Sequence, residues 1–277
     1  MVARLAPIVA VALACGGAPP GRPPVPAPPP LDPRAALVDV PGGDHLQGDP
    51  HGEPDEAPRP VTVAAFRLMR TEVTNAQFAA FVAATGHVTD PERSGAGHVW
   101  LGAWAIVRGA DWRHPHGPRS SIAGLDAHPV VQVSQRDAAA FCAHHGLRLP
   151  TDAEWEWAAR GRDGRRYVWG DAPPRAPAVY RLGNVGRLEP CCALDDRDGY
   201  RLTAPVGSYP AGAAWNGALD LVGNVWEWTA SPHPTQAGKV SLRGAGWGNS
   251  AWCLRAAYRH ANPPDRGLNL VGFRCAL

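Results

Sequence analysis

The chain has 277 residues, and its 27 basic side chains nearly balance its 25 acidic ones. A net charge of +2 excludes a polybasic nucleic-acid-binding surface as the main function. No apolar run reaches the roughly 18 residues that a membrane span needs. The 31 glycines and 30 prolines point to many loops, whereas 11 tryptophans exceed what a disordered chain carries. The composition therefore predicts a Pro-rich segment joined to one loop-rich globular domain.

The amino terminus has the layout of a secretory signal in residues 1–14, with Arg4 before a short apolar run. The end of this run, Ala12-Leu13-Ala14 before Cys15, resembles a bacterial lipobox, in which the cysteine is acylated. An ordinary cleaved signal peptide is the alternative. The lipobox predicts an exported lipoprotein of the periplasm, outer membrane or cell surface that touches the membrane only through its lipid. In such an oxidising compartment cysteines can pair.

A Pro-rich segment follows Cys15, with nine prolines between residues 16 and 34. Pro-rich chain adopts extended polyproline II at about 3.1 Å per residue and serves as a semi-rigid spacer. We therefore predict a tether over residues 15–35 and a single domain over 36–277.

Within the domain, the alternation of residues 61–66 predicts a strand. Three segments predict helices, because each opens with a capping residue and closes at a glycine: 74–86, 134–146 and 151–161. Short segments rich in glycine, proline and tryptophan make up the remainder. Such long irregular loops need anchors, which can be disulfides, metals or aromatic packing.

Two acidic loops are candidate sites for a hard cation. One places Asp195, Asp196 and Asp198 close together, and the other places Asp220 and Glu227 seven residues apart around a glycine. Calcium takes 6–8 oxygens and tolerates irregular loops, although acidic loops are more often simply solvated. The 11 histidines have none of the spacings typical of zinc or iron sites.

The six cysteines leave several pairings open. If Cys15 is acylated, five remain, and one of them can be free. Cys253 is a candidate reactive thiol because Arg255 lies two residues away. Alternatively Cys253 pairs with Cys191 or Cys192, or these last two form a vicinal disulfide.

Several motifs together resemble the sulfatase-modifying-factor family, the formylglycine-generating enzymes and their relatives. The most specific are GADWRHPHGP at 109–118, RLPTDAEWEWAAR at 148–160, GNVWEW at 223–228 and GFR at 272–274. The resemblance covers about residues 36–277 in the family's order. It implies an α+β fold that is C-type-lectin-like and has low regular secondary structure.

The resemblance also implies two calcium sites and one disulfide. The first calcium set is Asn184, the Val185 carbonyl, Asp198 and the Tyr200 carbonyl. The second set comprises two carboxylates and two carbonyls, those of Asp220, Gly223, Val225 and Glu227. The implied disulfide joins Cys142 to Cys275.

The copper site of the generating enzymes is incomplete here. In that family a serine and two cysteines form the active site, and the cysteine pair binds Cu(I). Gly246 stands at the serine position and Asn249 at the first cysteine position, which leaves Cys253 alone. Gln135 also replaces a family tryptophan. One thiolate cannot supply a two-sulfur site, so we expect no copper and no formylglycine generation.

Three functions remain open on the sequence. The favoured one is a non-catalytic or divergent family member that binds a protein or peptide, including a sulfatase-like substrate, at the cell envelope. The second is an oxidoreductase with altered chemistry, in which Cys253 acts with Cys191 or Cys192. The third is a lectin-like ligand-binding module.

Overall fold

The structure is a computed structural model that describes residues 22–189 and 193–277. Regular elements are short and separated by loops. The helices within these ranges are α1 to α4: Asn75–Thr85, Asp90–Ser94, Gln135–His144 and Asp152–Arg160. The strands are β1 to β10: Leu37–Val40, Gly43–Gln47, Arg59–Val63, Phe66–Met69, Ala96–Trp100, Trp104–Arg108, Trp226–Pro232, Val240–Arg243, His260–Asn262 and Val271–Gly272. The prediction of an α+β fold with low regular secondary structure is confirmed.

A four-stranded sheet in the order β10-β7-β8-β9 forms the centre of the domain. β10 pairs parallel with β7, and the other two pairings are antiparallel. Three two-stranded ladders surround this sheet: β1 with β4, β2 with β3, and β5 with β6. The β5–β6 hairpin carries exposed Trp104 and borders the cleft described below.

The three predicted helices are α1, α3 and α4, and their capping residues are confirmed. Thr74, Ser134 and Thr151 each accept a hydrogen bond from the backbone N–H three residues on, in complete capping boxes. Gly86 and Gly161 are the C-caps of α1 and α4, as predicted, whereas α3 ends at His144 and is capped by His145, before the predicted Gly146. These local hydrogen bonds satisfy N–H groups that a helix start otherwise leaves without partners.

The strand predicted over 61–66 is wrong as one element. β3 ends at Val63 and β4 begins at Phe66, and the two strands belong to different ladders. Ala64 and Ala65 between them are exposed. Gly42 packs so closely here that a Cβ on it would lie 2.7 Å from the Val63 carbonyl oxygen. The chain therefore changes direction where the sequence pattern continues.

Aromatic side chains form much of the core, and a disulfide links the carboxyl-terminal segment of the chain to α3. Phe78, Phe141 and Phe273 form a cluster whose ring centroids lie 5.4–6.4 Å apart. Beside it Cys142 and Cys275 form the implied disulfide across 133 positions. In chain-entropy models, a disulfide that closes a loop of that length stabilises the fold by about 4–5 kcal/mol.

The predicted tether is described only from residue 22 onward. Residues 22–35 run along the domain surface, and Pro33 is buried. The predicted signal sequence and Cys15 lie outside the described residues, so lipidation stays a prediction. In the part of the chain that the structure describes, no helix combines the length and the apolar character needed to cross a membrane.

Candidate binding cleft and cation sites

A buried ionic cluster holds the segment that follows β8. Arg243 is fully buried and donates to Asp152 Oδ1 at 2.5 Å and to Glu156 Oε2 at 2.7 Å. Arg259 donates to Asp152 Oδ2 at 3.0 Å. Burial opposes ionisation of Asp152, but Arg243 and then Arg259 lower its pKa to about 2. α4 thereby fixes both ends of residues 243–259.

A second arginine fixes the middle of the same segment. Arg255 is buried and donates to both oxygens of Glu56, at 2.6 and 2.8 Å, and to Asp49 at 3.1 Å. Its guanidinium carbon lies 4.0 Å from the centre of the Trp252 ring. The sequence analysis placed Arg255 beside Cys253 as a source of positive charge, but its charge is directed to carboxylates instead.

The segment 243–259 forms one wall of a cleft with a cavity of about 240 Å³. The lining is largely aromatic and contains no Asp, Glu, Lys or Arg: Trp100, Trp104, Trp226, Gly248, Asn249, Trp252, Cys253, Tyr258, His260, Asn262, Leu268, Leu270 and Val271. A second cavity of about 300 Å³ lies on the other side of Trp104. Because both cavities share Trp104, His260 and Asn262, they form one elongated groove.

Asn249 is held firmly at the position of the missing first cysteine. Its Oδ1 accepts hydrogen bonds from Trp226 Nε1 at 2.8 Å and from the Gly246 backbone at 2.9 Å. Its Nδ2 faces Cys253 Sγ at 3.8 Å. The amide therefore occupies the space where a second thiolate would have to stand.

Cys253 lies in the short helical turn Ala251–Leu254 and is 7% exposed. Burial raises the pKa of its thiol, against smaller opposing effects of Tyr258 and Arg255. Among the described residues it has no disulfide partner. Cys191 and Cys192 lie outside the described residues, so their pairing stays open.

Two further replaced positions differ in their relation to the cleft. Gly246 packs under the cleft floor, and a Cβ there would meet its nearest neighbour at 3.4 Å, so serine would fit. Gln135 is the first residue of α3, and its Nε2 donates to the Thr229 carbonyl at 3.3 Å. Gln135 is not part of the cleft lining.

The first predicted cation set comes together in the structure. Asp198 is buried, and its carboxylate accepts the N–H groups of Val185 at 2.8 Å and Tyr200 at 3.0 Å. Burial raises the pKa of Asp198 to about 7 despite these two hydrogen bonds. The buried Asn184 Oδ1 has no hydrogen-bond partner in the described structure. These oxygens fit a hard cation, because they lack a positive partner.

The second predicted set lies next to the first but differs in charge. Asn224, between the predicted ligands Gly223 and Val225, donates its N–H to the Asn184 carbonyl at 2.7 Å and so joins the two loops. Glu227 already has a counterion, because Arg274 donates to its two oxygens at 2.7 and 2.8 Å. The Asp220 carboxylate accepts the Gly207 N–H, at 2.6 Å.

Glu72 is a buried carboxyl group near the second set that the sequence analysis missed. Both its oxygens lack hydrogen-bond partners in the described structure. Burial raises its pKa well above the ordinary value, and the charge of Asp220 raises it further. Burial also raises the pKa of Asp220. Together with Glu227, this region holds more buried negative charge than Arg274 neutralises.

Neither predicted cation set is a cluster of charged ligands. Within residues 22–189 and 193–277, no three His, Cys, Asp or Glu side chains form a group that could hold a metal by themselves. Both sets would depend on amide and carbonyl oxygens, which calcium accepts. Cu(I) prefers soft thiolates, and the cleft offers one protonated thiol and an amide, so these residues do not fit copper.

Comparison with known proteins identifies the family of this chain. Residues 23–277 match the model of the sulfatase-modifying factor enzyme 1-like domain. The chain belongs to this family. It is 41% identical to the formylglycine-generating enzyme of Streptomyces coelicolor, over 86% of this chain and 88% of the relative.

Relatives of both catalytic kinds are similar to the chain. It is 36% identical to the inactive C-alpha-formylglycine-generating enzyme 2 of Mus musculus, over 87% of this chain and 85% of the relative. Among solved structures, PvdO from Pseudomonas aeruginosa superposes with a TM-score of 0.66 and 26% identity, over 87% of this chain and 93% of PvdO. Enzymes of the family use copper and calcium. Family membership therefore supports the fold without deciding between an active and an inactive member.

Proposed function

We propose that this chain is a non-catalytic member of its family that binds a protein or peptide segment in the tryptophan-lined groove. The observation that carries the proposal is the position of Asn249. Its amide stands where the copper chemistry needs a thiolate, and it is tied to Trp226 and Gly246 by two hydrogen bonds. An amide supplies no sulfur, so Asn249 cannot complete a two-thiolate copper site with Cys253.

The shape and polarity of the groove favour an extended chain over a compact metabolite. Two cavities of about 240 and 300 Å³ meet at Trp104, which is 53% exposed. Aromatic side chains supply large contact area at low entropic cost and are enriched where proteins bind one another. The first cavity has no charged lining residue and matches an apolar or uncharged stretch of the partner, whereas Arg266 lines the second cavity and could accept a polar or acidic group of the partner.

The test compares binding with oxidation on the same peptide. A labelled sulfatase-motif peptide containing cysteine, and its serine analogue, are titrated with the full chain while oxygen uptake is followed with Cu(I). We expect similar affinity for both peptides and no copper-dependent oxygen uptake. Uptake that disappears in Cys253→Ser would overturn the non-catalytic proposal and support the oxidoreductase alternative.

A matched pair of variants locates the binding surface. Trp104 lines both cavities, whereas Leu101, on the same hairpin and 49% exposed, lines neither. We expect Trp104→Ala to weaken peptide binding about tenfold or more, as removal of an aromatic anchor does, and Leu101→Ala to leave it unchanged. Equal effects would place the partner elsewhere.

Calcium binding at both predicted sets is part of the proposal. The first set has the stronger support, since the Asn184 Oδ1 has no partner in the described structure and burial raises the pKa of Asp198. Calcium would bind there through Asn184, Asp198 and two backbone carbonyls and would stabilise the loops around it. Thermal unfolding with calcium and with chelator tests this, and identical midpoints would contradict it.

Attachment to the envelope through Cys15 completes the proposal. Metabolic labelling with a palmitate analogue is expected to mark the wild-type chain and not Cys15→Ser. Release of unlabelled wild-type protein into the soluble fraction would instead support an ordinary cleaved signal peptide.

A further inference from the structure

Residues 22–30, which we call the Pro strap, lie on the domain with a three-residue repeat. Pro23, Pro26 and Pro29 are half-buried, whereas the residues between them are exposed. A polyproline II helix has three residues per turn, so every third side chain faces the same side. Val25, the most apolar side chain of the strap, is 63% exposed. The repeat, and not hydrophobicity, therefore determines which residues touch the domain.

The floor under the strap is built from an aromatic ring and two glycines. The Arg22 guanidinium carbon lies 4.3 Å above the centre of the Tyr200 ring. A Cβ on Gly199 would lie 2.9 Å from Pro23 Cδ, and one on Gly207 would lie 3.9 Å from Pro26 Cγ. Gly199 also has a φ of +105°, which favours glycine. The missing side chains let the strap approach the backbone.

One buried side chain fixes the end of the strap. Gln77 is 1% exposed, and its Nε2 donates to the Pro30 carbonyl at 2.7 Å. The other end of the same amide caps α1, because Oε1 accepts the Thr74 N–H at 3.0 Å. An amide thus binds the Pro30 carbonyl at one end of the strap, and the Tyr200 ring lies against Arg22 at the other end. Proteins recognise polyproline II segments in grooves that contain aromatic side chains.

We propose that the groove formed by Tyr200, Gly199, Gly207 and Gln77 is a polyproline II binding site that the Pro strap occupies in cis. Docking of the strap holds the domain close to whatever anchors residue 15. Release would add about 28 Å of reach for nine residues at about 3.1 Å each. The strap thus switches the tether between a short and a long state. The effect on tether length rests on the proposed anchor at Cys15, whereas docking of the strap is independent of what the tryptophan-lined groove binds.

A short linker makes a weak site sufficient for such a switch. Intramolecular docking occurs at an effective concentration in the millimolar range, so a site with modest affinity is filled in cis. Polyproline II is preformed in Pro-rich chain, which lowers the entropic cost of docking. Few contacts therefore hold the strap, and few need to break for its release.

The test uses two full-length variants with equal loss of proline. The inward variant carries Pro23→Ser, Pro26→Ser and Pro29→Ser, and the outward variant carries Pro24→Ser, Pro28→Ser and Pro30→Ser. A fluorescein-labelled peptide with the sequence of residues 21–31 is added up to millimolar concentration, and its anisotropy is measured. We expect the inward variant to bind the peptide about tenfold or more tightly than wild type and the outward variant do, since its groove is vacated.

A single substitution at the groove gives a second readout. Gln77→Glu keeps the acceptor that caps α1 but removes the N–H that Pro30 accepts. We expect it to weaken peptide binding when combined with the inward variant, while circular dichroism reports unchanged helix content. Equal peptide binding by the inward and outward variants, or none by the inward variant, would overturn the proposal.

Discussion

Two groups of buried carboxylates in this domain have opposite electrostatic surroundings. Asp152 and Glu156 on α4 face Arg243 and Arg259, and these arginines keep the pKa of both carboxyl groups low. Asp198 faces only backbone N–H groups, and burial raises its pKa to about 7. Arginines of the protein therefore neutralise the first group, whereas the second requires a proton or a cation from solution. Burial alone does not distinguish structural acids from ligand-binding ones.

The largest expected loss of stability is at Asp152, in the group that arginines neutralise. Asp152→Ala leaves Arg243 and Arg259 buried with one carboxylate fewer, and we expect it to cost about 3–5 kcal/mol of unfolding free energy. Denaturant unfolding with and without calcium should give the same loss, because no cation from solution is involved. The control is Asp163→Ala, which removes a surface partner of Arg165 and should cost less than about 1 kcal/mol. A calcium-dependent loss in Asp152→Ala would contradict the comparison.

A somewhat smaller effect is expected from the titration of Asp198. Its pKa is about 7 in the folded state and near 4 in an unfolded chain, so the folded state holds the extra proton between these values. In chelator, stability is then fully present below about pH 4 and falls by about 1.4 kcal/mol per pH unit up to pH 7, which is about 3 kcal/mol between pH 5 and pH 7. Calcium should remove this loss, because it replaces the proton.

Variants of the same loop assign that titration. Asp198→Asn should abolish both the pH-dependent loss and the calcium effect, measured as unfolding free energy from pH 5 to 8. Asp196→Asn changes an exposed acid two residues away and should alter neither. A pH profile that survives in Asp198→Asn would assign the titration to another group.

The smallest effect is expected at Glu72. Burial and then the charge of Asp220 raise the pKa of Glu72 well above its ordinary value, and its oxygens lack partners in the described structure, so an uncharged glutamine of similar shape should be tolerated there. We expect the unfolding free energy of Glu72→Gln to be no lower than that of wild type at pH 6, and, in chelator, to exceed it increasingly as the pH rises to 9, because glutamine has no charge that burial must suppress. Strong destabilisation at pH 6 would show that Glu72 is ionised there, for example beside a bound cation.

What the sequence could predict follows from how local the interactions are. The helix starts at Thr74, Ser134 and Thr151 depend on bonds across three residues, and all three are confirmed. The break between β3 and β4 depends on Gly42 packing against distant backbone, so the alternating pattern hid it. The fold class and the Cys142–Cys275 pair were predicted from the family motifs. Hydrophobic periodicity could not predict them, because it reports only local structure.

The candidate site was predictable only in its identities. The motifs indicated that Gly246 and Asn249 replace the family's serine and first cysteine. They did not indicate that Asn249 accepts a hydrogen bond from Trp226 and faces Cys253. The position of Arg255 near Cys253 in sequence suggested an activated thiol. The structure directs that guanidinium to Glu56, which lies 199 positions away, and burial raises the thiol pKa. The spacing of residues along the sequence does not predict ion pairs between such distant positions.

The last few residues have a consequence for biosynthesis. Arg274 neutralises Glu227, Cys275 pairs with Cys142, and Leu277 exchanges backbone hydrogen bonds with Arg67. A nascent chain that has not yet released residues 271–277 from the ribosome lacks β10, this counterion and this cross-link together. The domain can therefore complete its fold only once residues 271–277 have left the ribosome and the two cysteines can oxidise.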